Sequence, residues 1–441
     1  MNQKKKVFIS FLGYSAYRKV TYQFENTAVY GAEKQSSHYA SRAILELNIL
    51  KNWDPEIDEI YFFTTEMAKT HCFDKRVAKI NYDDLTQNIY ASENEEGGIG
   101  ETLALLKEEG KIGHFEAVTI PDGFTESEMW EIFKAIEEKV DSNSELYMDV
   151  TNGYRFLPML ALSLINYLAS VKDCIPKGLF YGNFEAGRGK SITPIQVLNN
   201  IIELGQWTDA VEMFTKASYP DELANLIKKE NPKLASDVQK VADAILNCRG
   251  HQLTQEVDID RIKNDINNLD GDEQISHQLR PILKKIDDKL STLGNSTTLK
   301  GFHAVEWCIE HNMVQQGYTF LLETTISWLI EETEGTRYIN REDYREIANG
   351  VLNKISANRL QLRSSRRNSN LSEDEVKEIA RRMEGTIAPN RFHLTSNYKK
   401  MTGAGKRNDI NHCGYKNNYA TVGALKRDLK NISDAIINIV S

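Results

Sequence analysis

Apolar residues recur along this chain in two different rhythms. In the first 190 positions they form short, nearly continuous runs: Val7-Phe-Ile-Ser-Phe-Leu12, Ile57 to Thr64, Ala117 to Ile120, Leu146 to Val150 and Gly178 to Gly182. Runs of four to eight such residues predict strands covered on both faces. Between them, Ser36 to Leu50, Thr125 to Val140 and Leu157 to Val171 place an apolar residue every three or four positions, which predicts helices. Thr125 with Glu128 three residues later has the form of a capping box. Strand–helix alternation without hairpin signals predicts an α/β module built on a doubly wound parallel sheet.

From Thr193 onward the strand rhythm stops, and helical periodicity covers Pro194 to Phe214, Lys233 to Asn247, Ile275 to Leu293 and Leu299 to Glu332. Gly250 and Gly294 are the expected stops. Helices are also predicted over Arg341 to Lys354, Ser372 to Met383 and Ala424 to Val440, the last with Leu425, Leu429, Ile432, Ala435, Ile436 and Ile439 on one stripe. Asn368 to Ser372 and Thr402 to Gly405 read as loops. The expected division is an α/β domain over 1–192, a helical spacer over 193–298 and an all-α domain over 299–441.

Charge changes this picture locally. The 441 residues carry a net charge of −9, against a coating of non-specific nucleic-acid contacts. Between Ile355 and Arg407, however, 12 Lys/Arg face 5 Asp/Glu, a balance of +7 that leaves −16 for the remainder. One basic face is therefore available to a phosphate backbone. The five cysteines (Cys72, Cys174, Cys248, Cys308, Cys413) have no C-x-x-C spacing, so neither a disulfide framework nor a zinc ribbon is expected, and no metal site is assigned. No apolar stretch of about 18 residues predicts a membrane span. The basic start before Val7 leads into a run too short for a secretion signal, so a cytoplasmic protein is expected.

In an open parallel sheet, ligands bind beyond the carboxyl ends of the strands. Those ends carry Gly13, Tyr14 and Ser15 after the first strand and Thr64 and Thr65 after the second. They also carry Thr151, Asn152, Gly153 and Arg155 after the fourth, and Asn183 to Glu185 after the fifth. Hydroxyls, an amide, aromatic faces, close-approach glycines and an arginine suit a base-and-phosphate ligand. The run Thr151 to Gly153 also precedes an apolar helix, whose amides make an anion site. Arg155 serves the ligand or braces Asp149. No G-x-G-x-x-G follows the first strand, and Gly403 to Lys406 lacks the remaining residues of a phosphate loop.

A second constellation is Lys406-Arg-Asn-Asp-Ile-Asn-His412. On a helix Asn408 and His412, four apart, share a face, and Arg407 reaches toward the imidazole from the first turn. An imidazole exchanges protons near neutral pH, and a guanidinium stabilises charge developing on a phosphorane. Together they match metal-free RNA cleavage in which the ribose 2′-OH attacks its own phosphate. His303, His311 and His71 read as packing or surface residues.

These motifs in this order resemble the CRISPR-associated ribonucleases of type III systems that join a CARF sensor to a HEPN nuclease, particularly the Csx type. The resemblance rests on Phe8 to Tyr17, Asp149 to Pro158, Tyr181-Gly182 with Glu185, Trp207 to Ala210 and Arg407 to His412. It implies a Rossmann-like CARF sensor followed by a helical HEPN-like domain, and a homodimer with one composite active site. It implies a cyclic oligoadenylate, by family habit the tetra-adenylate, as the allosteric activator; no other cofactor, a single-stranded RNA substrate, and no membrane. By position, Arg407, Asn408 and His412 correspond to the nuclease triad. Gly13, Tyr14, Ser15, Thr64, Thr65, Thr151, Asn152, Gly153 and Arg155 correspond to the ligand cradle. Asn152 stands where many relatives have a histidine, which leaves open the ring size and whether the sensor degrades its activator. The rival readings are a sensing or regulatory protein with an inactive helical domain, and a ring nuclease using Thr64, Thr151 or Asn152.

Overall fold

The computed structural model describes residues 3–83, 88–229, 231–270, 280–291, 297–360, 371–402, 406–415 and 419–440. The chain forms two compact units, Met1–Glu203 and Leu204–Ser441. The first is built on an eight-stranded sheet with order β3-β2-β10-β9-β8-β1-β4-β7. Its strands are β1 (Lys6–Leu12), β2 (Val20–Phe24), β3 (Gln35–Ser37), β4 (Glu59–Thr64), β7 (His114–Thr119), β8 (Glu145–Asp149), β9 (Ile175–Gly182) and β10 (Thr193–Val197); β5 (Arg76–Asp83) and β6 (Asn88–Glu95) form a separate antiparallel pair.

The five strands β9, β8, β1, β4 and β7 run parallel, as expected from their buried runs. Alternation along β1 divides its side chains between two layers. Phe8 and Leu12 join Ala43, Ile44 and Leu103 on one face, and Val7, Ile9 and Phe11 join Ile132, Ile136, Leu164 and Ile165 on the other. Helices Ala40–Leu47 and Ile99–Glu108 therefore cover the first face, and Glu126–Glu138 and Leu157–Lys172 the second. A fully buried Phe or Ile contributes roughly 1.5–3 kcal/mol, so this double cover fixes where the parallel strands end.

The sheet is mixed rather than all-parallel, because β10 runs antiparallel to β9 and β2 antiparallel to β3. Residues 194–197, expected to begin a helix, form β10, and the helix starts at Asn199. The boundary expected at 192 thus falls one strand early, since β10 pairs with both β9 and β2. Residues 36 and 37, expected to open a helix, belong to β3 instead. At Thr125 the hydroxyl accepts the Glu128 amide at 3.2 Å, but Glu128 reaches back to the Phe124 amide at 2.7 Å, one residue earlier than expected.

The second unit is helical. Its main helices are Asn199–Ala217 (whose start belongs to the first unit), Pro232–Leu246, Thr297–Glu310, Val314–Glu334, Glu342–Leu352, Glu373–Ile387, Arg391–Met401 and Val422–Val440. The single helix expected over 299–332 is two, separated at Asn312 in the left-handed region (φ 59°). Cys248 (φ 54°), rather than Gly250, takes the left-handed position after Leu246. Residues from both the expected spacer and the expected last domain enter one core: Phe214, Val238 and Ile262 share it with Trp307, Leu329, Ile379 and Leu429. Leu425, Leu429, Ile432 and Ile436 are buried along the last helix, matching its apolar stripe. Residues 271–279, Gly294, Arg363 to Arg367 and 403–405 lie outside the described residues.

Candidate functional site

The first candidate is the rim where β1, β4, β8 and β9 end. Asp149 closes β8 in full burial, and its carboxylate is shared across strands. It accepts the Ser10 hydroxyl of β1 at 3.0 Å, the Thr151 amide at 3.0 Å and the Thr151 hydroxyl. The Thr151 oxygen in turn accepts the Gly182 amide of β9 at 2.7 Å. One carboxylate thus ties together three strand ends. Burial pushes its carboxyl up to about 6, with the hydrogen bonds from Thr151 and Ser10 opposing that rise.

Two loops cross at this point backbone to backbone. A methyl group on Gly13 would lie 3.1 Å from the Gly153 nitrogen, and one on Gly153 would lie 2.7 Å from Leu157. Gly153 also has φ +101°, a conformation that favours glycine. The Tyr17 hydroxyl clasps Gly13, accepting its amide at 3.1 Å and donating to its carbonyl at 2.8 Å. The helix Leu157–Lys172 begins directly behind, with no side chain capping its first amides. Asn152 is half-buried and Arg155 exposed beside that start. Arg155 does not brace Asp149: the hydrogen bonds of that carboxylate go to Ser10 and Thr151.

The remaining expected rim residues divide. Thr64 is fully buried, and its hydroxyl has no partner among the described residues; the Tyr14 hydroxyl is in the same position. Thr65 is half-buried and caps the following turn through the Ala68 amide at 3.4 Å. The Ser15 side chain is exposed, while its carbonyl accepts the Cys72 thiol at 3.5 Å. Asn183 is committed to capping, accepting the Ala186 amide at 3.0 Å. Sequence reasoning missed Ser10, Tyr17 and Gly182, and it set His71 aside. His71 stands edge-on to Tyr14 at 5.7 Å and bonds Asn94 of β6 at 3.0 Å. Only Ser10 carried a signal, as a hydroxyl inside an otherwise apolar strand.

The second candidate is the short helix Lys406–Asn411. Arg407 and Asn408 lie within it, and His412 follows in the exit turn, exposed, rather than on a continuing helical face. Two contacts anchor this segment. Lys406 pairs with Asp428 at 3.1 Å, and buried Asp409 accepts the Ala420 amide at 2.8 Å. His311, by contrast, packs on Trp307 at 5.5 Å and bonds the Lys216 carbonyl at 2.6 Å, a structural role. Among the described residues no helix is long and apolar enough to cross a membrane.

Residues 7–185 match the family model of the CARF domain of the CRISPR system endoribonuclease Csx1. Residues 203–296 match that of the second domain of the CRISPR-associated protein MJ1674. The chain thus carries a CARF domain like that of the CRISPR-associated Csx1 proteins. The CRISPR-associated protein MJ1674 of Methanocaldococcus jannaschii is 22% identical over 251 residues, 56% of this chain and 39% of that protein. The chain therefore spans well under two thirds of that relative's length. The CARF match contains the whole rim from Gly13 to Arg155, and both family matches end before Arg407 to His412.

Proposed function

We propose that this CARF-containing chain is a metal-independent endoribonuclease of type III CRISPR defence, switched on when a cyclic oligoadenylate, the tetra-adenylate by family habit, binds the rim. The observation that carries the reading is the rim itself. Inside a matched CARF domain, Gly13 and Gly153 bring two backbones together beside an uncapped helix start, and Asp149 holds Thr151 between them. Close backbone approach leaves room for a phosphate, and the exposed Arg155 guanidinium adds charge complementarity.

In the proposed reaction His412 takes the proton of a ribose 2′-OH. The 2′-oxygen bonds to phosphorus, the P–O5′ bond breaks, and an acid returns a proton to the 5′-oxygen. Arg407 neutralises the charge gathered on the phosphorane oxygens, and Asn408 orients the groups. In an in-line displacement the attacking 2′-oxygen and the departing 5′-oxygen lie on opposite sides of phosphorus, so one imidazole does not reach both, and a second copy supplies the other, making the enzyme a homodimer. An exposed aromatic surface supports self-association. Phe124 contacts Tyr154 of the rim loop at 6.1 Å, and Trp130, Phe133 and Tyr167 follow one another at 5.6 and 4.9 Å.

The test is cleavage of single-stranded RNA in EDTA with added cyclic tetra-adenylate. His412→Ala should lose about 10²–10⁴-fold in rate while still binding the ring. Unchanged cleavage in that variant rejects the assignment. In a second reading the rim also opens the ring; Thr151 is already committed to Asp149 and Gly182 and Thr64 is fully buried, which leaves the half-buried Asn152 to act on it. Chromatography of the ring after incubation with His412→Ala separates the two, since intact ring counts against ring cleavage.

A further inference from the structure

The helical unit leaves several large apolar side chains partly exposed, and the most exposed of them fall in one stretch. Among its described residues, the most exposed of them are Tyr415 (92%), Phe392 (71%), Tyr419 (63%) and Val422 (62%), all within thirty-one positions of each other. Three of the four are aromatic. An aromatic ring left in water forgoes the largest burial gain a side chain can make, and single exposed apolar residues are ordinary, but a cluster marks a binding surface.

The positions of these rings are specific. Tyr415 lies in the exit turn of the short helix, its amide donating to the His412 carbonyl at 3.0 Å. Tyr419 returns to the same turn, its Cβ 3.6 Å from where a side chain on Gly414 would begin. Phe392 opens the helix Arg391–Met401, whose buried face is Leu394, Thr395, Tyr398 and Met401. It lies off that face, with the Lys354 ammonium 5.0 Å from its ring centroid.

Charge identifies the occupant. From Gly385 to Asn408 the sequence holds five Lys/Arg (Arg391, Lys399, Lys400, Lys406, Arg407) and no Asp or Glu, in a chain of net charge −9. Arg391 and Lys406 pair with Glu384 and Asp428 beyond this stretch, and Lys399 and Lys400 have no acidic partner among the described residues. Cations that follow a phosphate backbone, alternating with aromatic faces that accept any base, are the two components of a single-stranded nucleic-acid track. A protein partner would call for a contiguous apolar patch with few cations at its centre.

We propose that Tyr415 is a stacking platform for one base of single-stranded RNA beside His412, and that Phe392 with Lys354 holds a further base along the acid-free stretch. This rests on the nuclease reading for the choice of RNA. It assigns to the aromatic residues a role in holding substrate, distinct from the proton transfers given to His412.

The experiment uses the full chain carrying His412→Ala, so that RNA stays intact, with cyclic tetra-adenylate present. Fluorescence anisotropy measures binding of a labelled single-stranded RNA and of an abasic oligonucleotide of equal length and charge. Adding Tyr415→Ala should weaken RNA binding about 5- to 100-fold, the effect of removing one stacked base. Tyr415→Phe, which keeps the ring, should stay within about twofold of the parent. The abasic strand should bind both proteins alike. Equal RNA affinity with and without the Tyr415 ring overturns the proposal, as does an equal loss for the abasic strand, which would show an effect on fold or phosphate contact. Should His412→Ala lose cleavage in the assay above while Tyr415→Ala binds RNA like its parent, the platform alone falls. Failure of the parent to bind RNA at all removes the platform and the nuclease reading together.

Discussion

The CARF rim and the His412 segment present polar groups in opposite ways. At the centre of the rim the groups hold one another across strands: Ser10 bonds Asp149, the Gly182 amide bonds Thr151, and Gly13 lies against the Gly153 backbone. Around His412 the anchors lie beneath, in Asp409 to Ala420 and Lys406 to Asp428, while His412 and Tyr415 face solvent. A rim assembled from buried, cross-linked strand ends is shaped before any ligand arrives, and it tolerates little change. A segment displayed on a packed scaffold can lose a reactive side chain without disturbing the fold beneath it. Changes at the rim should therefore register as stability and ligand affinity together, and changes at His412 should leave stability unmoved, altering only the chemistry that the proposed function gives it.

Glycine-to-alanine pairs give the largest contrast. Gly153→Ala must hold a Cβ at φ +101° and within 2.7 Å of Leu157, whereas Gly385, in the helix Glu373–Ile387, has open space around it. Gly153→Ala should cost about 2 kcal/mol or more and weaken cyclic tetra-adenylate binding at least about tenfold. Gly385→Ala should instead add about 0.5–1 kcal/mol by improving helix propensity. Urea midpoints and ring-binding calorimetry check both. A Gly153→Ala protein with parental midpoint and affinity would break the contrast.

Asp149 sharpens it through pH. Its folded-state value, pushed up to about 6 by burial, lies above the ordinary carboxyl value of 3.8. The folded chain therefore binds this proton more tightly than the unfolded one, so the stability it contributes is complete below about pH 4 and is lost as pH rises through 6. The loss is on the order of 2 kcal/mol. Asp149→Asn keeps an oxygen for the Thr151 amide and carries no charge to bury. Between pH 4 and pH 7 its unfolding free energy should fall less than the parent's by about that amount. Identical pH profiles for the two proteins would mean that Asp149 titrates as a solvated carboxylate, at odds with the buried staple.

Much of this was legible in the sequence, for identifiable reasons. Parallel strands buried on both faces read as continuous apolar runs, and the polar residues that end them mark the rim, so Gly13, Thr64 and Thr151 stood out. The partners that organise the rim did not, because Ser10 meets Asp149 across 139 positions and Gly182 meets Thr151 across 31. Strands β2, β3 and β10, at one end of the sheet, are short and only partly buried, so they lack the run that betrays a strand. The apolar period carries on through Asn312, which turns without a glycine, and two helices therefore read as one. At the second site the spacing from Arg407 to His412 was readable. The shared face of Asn408 and His412 was not realised, because the helix ends at Asn411.

Helix caps supply the smallest and most local comparison, one in each unit. Thr125 caps the helix Glu126–Glu138 of the CARF unit. Ser372 caps Glu373–Ile387 of the helical unit in a complete box, its amide reaching Glu375 at 2.7 Å and its hydroxyl accepting the Glu375 amide at 3.3 Å. Both caps are exposed, so alanine removes a hydrogen bond without opening a cavity. Each variant should lower a melting temperature by about 2–4 °C. Because the sheet layers and the helical core are made from different sets of residues, each substitution acts first on its own core. In calorimetry Thr125→Ala should shift only the transition of the sheet unit, and Ser372→Ala only that of the helical unit. One transition, moved equally by both variants, would show that the two cores melt as a single cooperative body, and local damage at the rim would then reach His412 through stability alone.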